Sequence, residues 1–84
     1  MQHIKYKPTG VCSYGIEFDL DEEKNIHNLV FSGGCNGNLK AIGKLCEGKD
    51  AESVSTLLEG VKCGGKSTSC ADQLSLAIKK AIKE

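Results

Sequence analysis

Five cysteines carry the reactive chemistry of this chain: Cys12, Cys35, Cys46, Cys63 and Cys70. Four of them share a context. Cys12, Cys35, Cys63 and Cys70 each stand in a loop or at an element end, beside Gly, Ser or Asn. Cys46 instead falls on the apolar face of a predicted helix, where free cysteine serves as a small hydrophobe. The gaps between the four are C-x22-C, C-x27-C and C-x6-C. None is the C-x2-C spacing of an ordinary zinc ribbon. The case for a common site therefore rests on backbone context, since loops at strand ends and helix starts can converge on one end of a small domain. Four such thiolates suit tetrahedral zinc, with an iron–sulfur cluster as the variant. The expected metal ligands are Cys12, Cys35, Cys63 and Cys70, with no catalytic residue assigned.

The stretch Cys63-Gly64-Gly65-Lys66-Ser67-Thr68-Ser69-Cys70 concentrates most of this chemistry. Its two glycines allow a tight backbone path. Cys70 falls at or next to a helix N-terminus, where free N–H groups and the helix dipole favour negative charge. A Cys63/Cys70 dithiol could alternatively carry electrons by thiol–disulfide exchange, and buried, idle thiols are the third reading. His3 and His27 are candidate fourth ligands, although strand position gives His27 a simpler role on a sheet face. Glu17 and Asp19 share one strand face and are expected to be solvated. The glycine-rich run Gly33-Gly34-Cys35-Asn36-Gly37-Asn38 lacks the Lys-Ser/Thr ending of a phosphate-binding P-loop.

Composition narrows the class. The 84 residues, 39% apolar and 5% aromatic, make one domain, residues 1–84, with a thin core. A metal or a partner chain often staples such a core. Eleven basic residues, all Lys, balance eleven acidic ones. Zero net charge and the lack of Arg argue against nucleic acid as the main partner. The N-terminus has no apolar signal region, and no apolar run approaches a membrane span. A soluble, cytoplasmic protein is expected, in which thiols stay reduced. The odd cysteine count also speaks against a disulfide framework.

The elements that must position the cysteines follow from periodicity. Residues 3–7 predict a short edge strand, closed by the turn Pro8-Thr9-Gly10. Tyr14, Ile16, Phe18 and Leu20 alternate with polar residues and predict a half-buried strand facing the core. Residues 26–32 return as a second strand of mixed pattern, with Ile26 and Val30 on one face and His27, Leu29 and Phe31 on the other. Such a strand is covered on both sides or carries a bulge. Three helices follow. The first, 39–46, turns Leu39, Ile42, Leu45 and Cys46 inward and ends at Gly48. The second, 51–59, is capped by Asp50 and turns Ala51, Val54, Leu57 and Leu58 inward. The third, about 70–83, buries Leu74, Ala77, Ile78, Ala81 and Ile82, with Ser69 and Asp72 at capping-box spacing. Strands first and helices after predict an α+β fold, a small antiparallel sheet of two or three strands with three helices on one face.

Thr68-Ser69-Cys70-Ala71-Asp72-Gln73-Leu74 resembles the signature of the TSCPD domain family, with Ala71 where the family has Pro. Gly10-Val11-Cys12-Ser13, Gly33-Gly34-Cys35-Asn36-Gly37-Asn38-Leu39 and Cys63-Gly64-Gly65-Lys66 resemble its other landmarks, so the resemblance runs from about Tyr6 to Ile82. The family occurs as a C-terminal module of cobalamin-dependent ribonucleotide reductases and as small stand-alone proteins. The resemblance implies a link to ribonucleotide reduction and the label ribonucleoside-diphosphate reductase. It does not imply reductase activity, because the chain has no room for the catalytic barrel. Replacing Pro by Ala71 changes helix capping more than chemistry. The layout is also similar to iron–sulfur scaffolds of the IscU/NifU type, in which Cys12, Cys35 and one of Cys63 or Cys70 would occupy the ligand places. These resemblances imply a protein partner, either a ribonucleotide reductase or the iron–sulfur machinery.

Overall fold

The computed structural model describes residues 1–11, 13–34, 36–62 and 68–83, with Asn36 described by its backbone alone. Three strands, β1 (Gln2–Tyr6), β2 (Ser13–Leu20) and β3 (Ile26–Gly33), precede three helices, α1 (Asn36–Cys46), α2 (Ala51–Leu58) and α3 (Cys70–Lys83). The strands form one antiparallel sheet in the order β1-β2-β3. This is the expected small α+β fold. Ile16, Phe18 and Leu20 of β2 meet Leu74, Ala77 and Ile78 of α3 and Cys46 of α1 in one buried cluster. Fully burying one such large apolar side chain contributes about 1.5–3 kcal/mol, so a few of them hold the layers together.

Two irregularities between β2 and β3 set which residues face the core. The register slips between Ser13 and Gly15 and again between Glu17 and Asp19. A bulge adds one residue to a strand and turns the following side chains over. At the first slip, Ser13 is turned inward, 3% exposed, and Tyr14 outward, 71% exposed. The alternation that placed Tyr14 with Ile16, Phe18 and Leu20 is corrected by that one extra residue. At the second, Asn28 takes a left-handed φ of 57°. Ile26 and Leu29 then both reach the core while Val30 stays exposed. The expected pairing of Ile26 with Val30 on one face fails for that reason.

The helices follow their caps. α1 begins at Asn36, three residues before the expected start, and its Gly43 lies so close to β3 that a Cβ there would sit 2.9 Å from the Leu29 carbonyl oxygen. Asp50 caps α2, accepting from the Ser53 N–H and hydroxyl at 2.9 Å each. The segment between α1 and α2 is stitched to the start of β3: the Ile26 N–H donates to the Lys49 carbonyl at 2.8 Å and the Gly48 N–H to the Ile26 carbonyl at 2.7 Å. α2 packs against α3 through a polar contact the periodicity did not suggest. Ser55 and Ser75 are both buried, and the Ser75 hydroxyl donates to the Ser55 carbonyl at 2.9 Å. Leu45 and Leu57, expected inside, are exposed. Among the described residues no helix is long and apolar enough to cross a membrane.

Candidate cysteine site

Cys70 is the first residue of α3, partly buried, and its thiol is free. A web of side chains around the helix start fixes its position. The Ser69 hydroxyl accepts from the Asp72 N–H at 3.1 Å, capping the helix as its spacing predicts, and donates to the Val61 carbonyl. The Asp72 carboxylate does not complete the expected box. It accepts from the Gly60 N–H at 2.8 Å and from the Thr68 hydroxyl, which ties the end of α2 to the start of α3. The Thr68 hydroxyl and then the Gly60 amide hold the Asp72 carboxyl below its ordinary pKa.

Gln73 carries the web to the far side. It is a buried amide in the helix's apolar stripe. Its Oε1 accepts from the Thr9 N–H at 3.1 Å, and its Nε2 donates to the Thr68 hydroxyl at 3.1 Å. The loop between β1 and β2 is thereby joined to the start of α3. Gly10 in that loop has a φ of 71°, and a Cβ there would lie 3.4 Å from the Thr68 methyl. A β-carbon would be strained in this conformation and crowded by that methyl.

The third approach comes from the sheet. The inward-turned Ser13 places its hydroxyl 3.1 Å from the Cys70 sulfur. Its backbone pairs with Gly33, the last residue of β3, where Gly33 and Gly34 take φ values of 78° and 77°. Three chain segments meet at this end: the start of β2, the end of β3 and the start of α3.

Of the predicted ligands, Cys70 is described, and Cys12, Cys35 and Cys63 lie outside the described residues. Lys66 of the glycine-rich stretch does too. The described neighbours of Cys12 and Cys35, namely Ser13 and Gly34, stand at or next to the end of the sheet that meets Cys70. Among the described residues no group of three or more His, Cys, Asp and Glu side chains could hold a metal ion. Cys46 is buried in the core, as its helical position predicts, and that burial pushes its thiol pKa up. Both histidines belong to the opposite end of the sheet, where Asp19 pairs with His3 and with His27. His3 contacts the Asp19 carboxylate at 2.6 Å, and His27 lies between Asp21 at 2.8 Å and Glu47 at 2.7 Å. Neither is brought to Cys70. Glu17 and Asp19, expected to be solvated, pair with His3 through exposed contacts.

Sequence reasoning missed Ser13, Thr9 and Gln73. Gln73 alone left a signal, a polar residue inside an apolar helical stripe. Ser13 left none, because its inward turn depends on the bulge.

The family model of the TSCPD domain matches residues 2–82. Neither a curated protein nor a solved structure matches the chain.

Proposed function

The chain belongs to the TSCPD domain family, and from that premise we propose that it is a small metal-binding module whose ligands are Cys12, Cys35, Cys63 and Cys70. Zinc is the metal that suits four thiolates in a site with no open position, and an iron–sulfur cluster is the variant. The observation that carries the reading is the contact between Ser13 and Cys70. Cys12 is bonded to Ser13, and Cys35 is bonded to Gly34 beside the Ser13 partner Gly33. A residue attached to the sheet end and one attached to the helix start therefore touch across 57 positions of sequence. Cys63 belongs to the short connection between Lys62 and Thr68, whose two ends are anchored nearby through Val61, Gly60 and Asp72.

The donor chemistry fits. Thiolate is the soft ligand that zinc and iron–sulfur clusters select. A reducing, cytoplasmic setting keeps thiols available for it. The thin apolar core supplies the reason for such a site: structural zinc gives about 10 kcal/mol of apparent binding energy, against a net domain stability of roughly 5 kcal/mol. The module serves a protein partner, a ribonucleotide reductase or the iron–sulfur machinery, rather than acting as an enzyme alone.

The experiment is metal analysis of protein purified without oxygen, with an absorption spectrum. A colourless protein holding about one zinc per chain supports the reading, and visible charge-transfer bands with iron assign the cluster variant. A reversible Cys63/Cys70 disulfide in protein free of metal would instead support an electron carrier. Slow labelling of all five thiols, with and without chelator, would support a structural interaction domain.

A further inference from the structure

We propose that Ser13 is a positioning residue of the thiolate site, its hydroxyl donating to the Cys70 sulfur and fixing the direction from which that sulfur meets the metal; this rests on the four-thiolate reading above.

The placement of Ser13 has a cost the fold would not otherwise bear. A slip in register between Ser13 and Gly15 turns a serine into the interior and puts Tyr14, the larger and more apolar neighbour, into solvent. Hydrophobic burial alone favours the reverse. A buried hydroxyl needs a partner. Among the described residues the Ser13 hydroxyl finds one in the Cys70 sulfur at 3.1 Å. Between a thiol and a hydroxyl either atom could donate. Once the sulfur is a metal-bound thiolate it has no proton, and the hydroxyl alone can donate.

The two partners are held by separate supports. Ser13 is fixed by its backbone pairing with Gly33 across the sheet. Cys70 is fixed by the capped start of α3, through Ser69 and Asp72. The hydroxyl therefore meets a sulfur whose position it does not itself set, and it selects among the directions of that sulfur's lone pairs. Outer-sphere hydrogen bonds of this kind orient metal ligands, and losing one typically costs 10–100-fold in metal affinity. Ser13 is also bonded to Cys12, so the same residue ties two proposed ligands to each other.

The test compares Ser13→Thr with Ser13→Val, which have the same shape and differ by the hydroxyl. Zinc affinity is measured by competition with a chromophoric chelator, and cobalt(II) is loaded for its sulfur-to-metal charge-transfer band. Ser55→Ala, at a second buried serine whose hydroxyl bonds to Ser75 rather than to Cys70, controls for general loss of stability. The expected result is that Ser13→Val binds zinc about tenfold or more weakly than Ser13→Thr, while Ser55→Ala matches the wild type. The cobalt band of Ser13→Val moves to lower energy, because a hydrogen bond to sulfur stabilises its lone pairs. Equal zinc affinity and an unmoved band in the Thr and Val variants overturn the role of Ser13 and leave the metal site standing. A wild-type protein that binds neither metal overturns the four-thiolate reading, and the role of Ser13 with it.

Discussion

Replacing Gln73 by Met removes two hydrogen bonds and almost no volume. Its buried amide joins the Thr9 N–H to the Thr68 hydroxyl, and so joins the β1–β2 loop to the start of α3. Each lost hydrogen bond costs about 1 kcal/mol, so Gln73→Met should lose about 2 kcal/mol. Thr9 is exposed, so water can take over part of its N–H bond and keep the loss from rising further. For a chain of this length about 1 kcal/mol moves the melting temperature by about 4–8 °C, so a fall of roughly 8–16 °C is expected. The assay is thermal unfolding by circular dichroism with chelator present, so that bound metal does not mask the change. Amide exchange at Thr9 and Gly10 should accelerate in the same variant, because those residues lose their tie to the helix. A melting temperature within about 2 °C of wild type would refute the bridging role, since it corresponds to well under 1 kcal/mol.

Three further outcomes are expected. Gly43→Ala should destabilise the fold although Ala is the better helix former by about 1 kcal/mol, because its Cβ would press within 2.9 Å of the Leu29 carbonyl oxygen; a lower urea midpoint checks this. Cys46→Ser buries a hydroxyl in an apolar cluster and should lose about 1–3 kcal/mol by urea unfolding, with metal content per chain unchanged. His27 is raised above its ordinary 6.5, first by Asp21 and then by Glu47. Its stabilising contribution is therefore complete below pH 6.5 and is lost as pH rises through the higher folded-state value. The stability difference between wild type and His27→Asn should shrink across that window, and a difference that grows with pH contradicts the pairing.

The sequence carried the element order because its signals there are local. Asp50, Ser69, Gly48 and Gly60 mark helix ends by chemistry that acts within three or four residues, and each stands where its type predicts. The face assignments in the sheet failed at Tyr14 and Val30 for one reason. Period-two alternation assumes an unbroken ladder, and each bulge reverses it. That reversal also hid Ser13, the residue that brings the sheet to Cys70. In the helices, Leu57 reads as core by spacing yet is exposed, while Ser55 is buried against Ser75. A helix's buried face is set by where its neighbour lies, and α2 packs on α3. Cys46 separated cleanly from the other four cysteines because an apolar helical face is a local signal. The proposal that those four share one site draws on a tertiary contact that no local signal announces, the one between Ser13 and Cys70.

In the proposed site Cys12, Cys35, Cys63 and Cys70 together hold a metal. Zinc and iron are to be counted per chain in anaerobically purified wild type, beside single Cys→Ser variants at the four positions and at Cys46. About one zinc, or one iron–sulfur cluster, per wild-type chain is expected, with loss in each of the four variants and retention in Cys46→Ser. Less than about 0.2 metal per wild-type chain, with a fold that a strong chelator leaves unchanged, would contradict it.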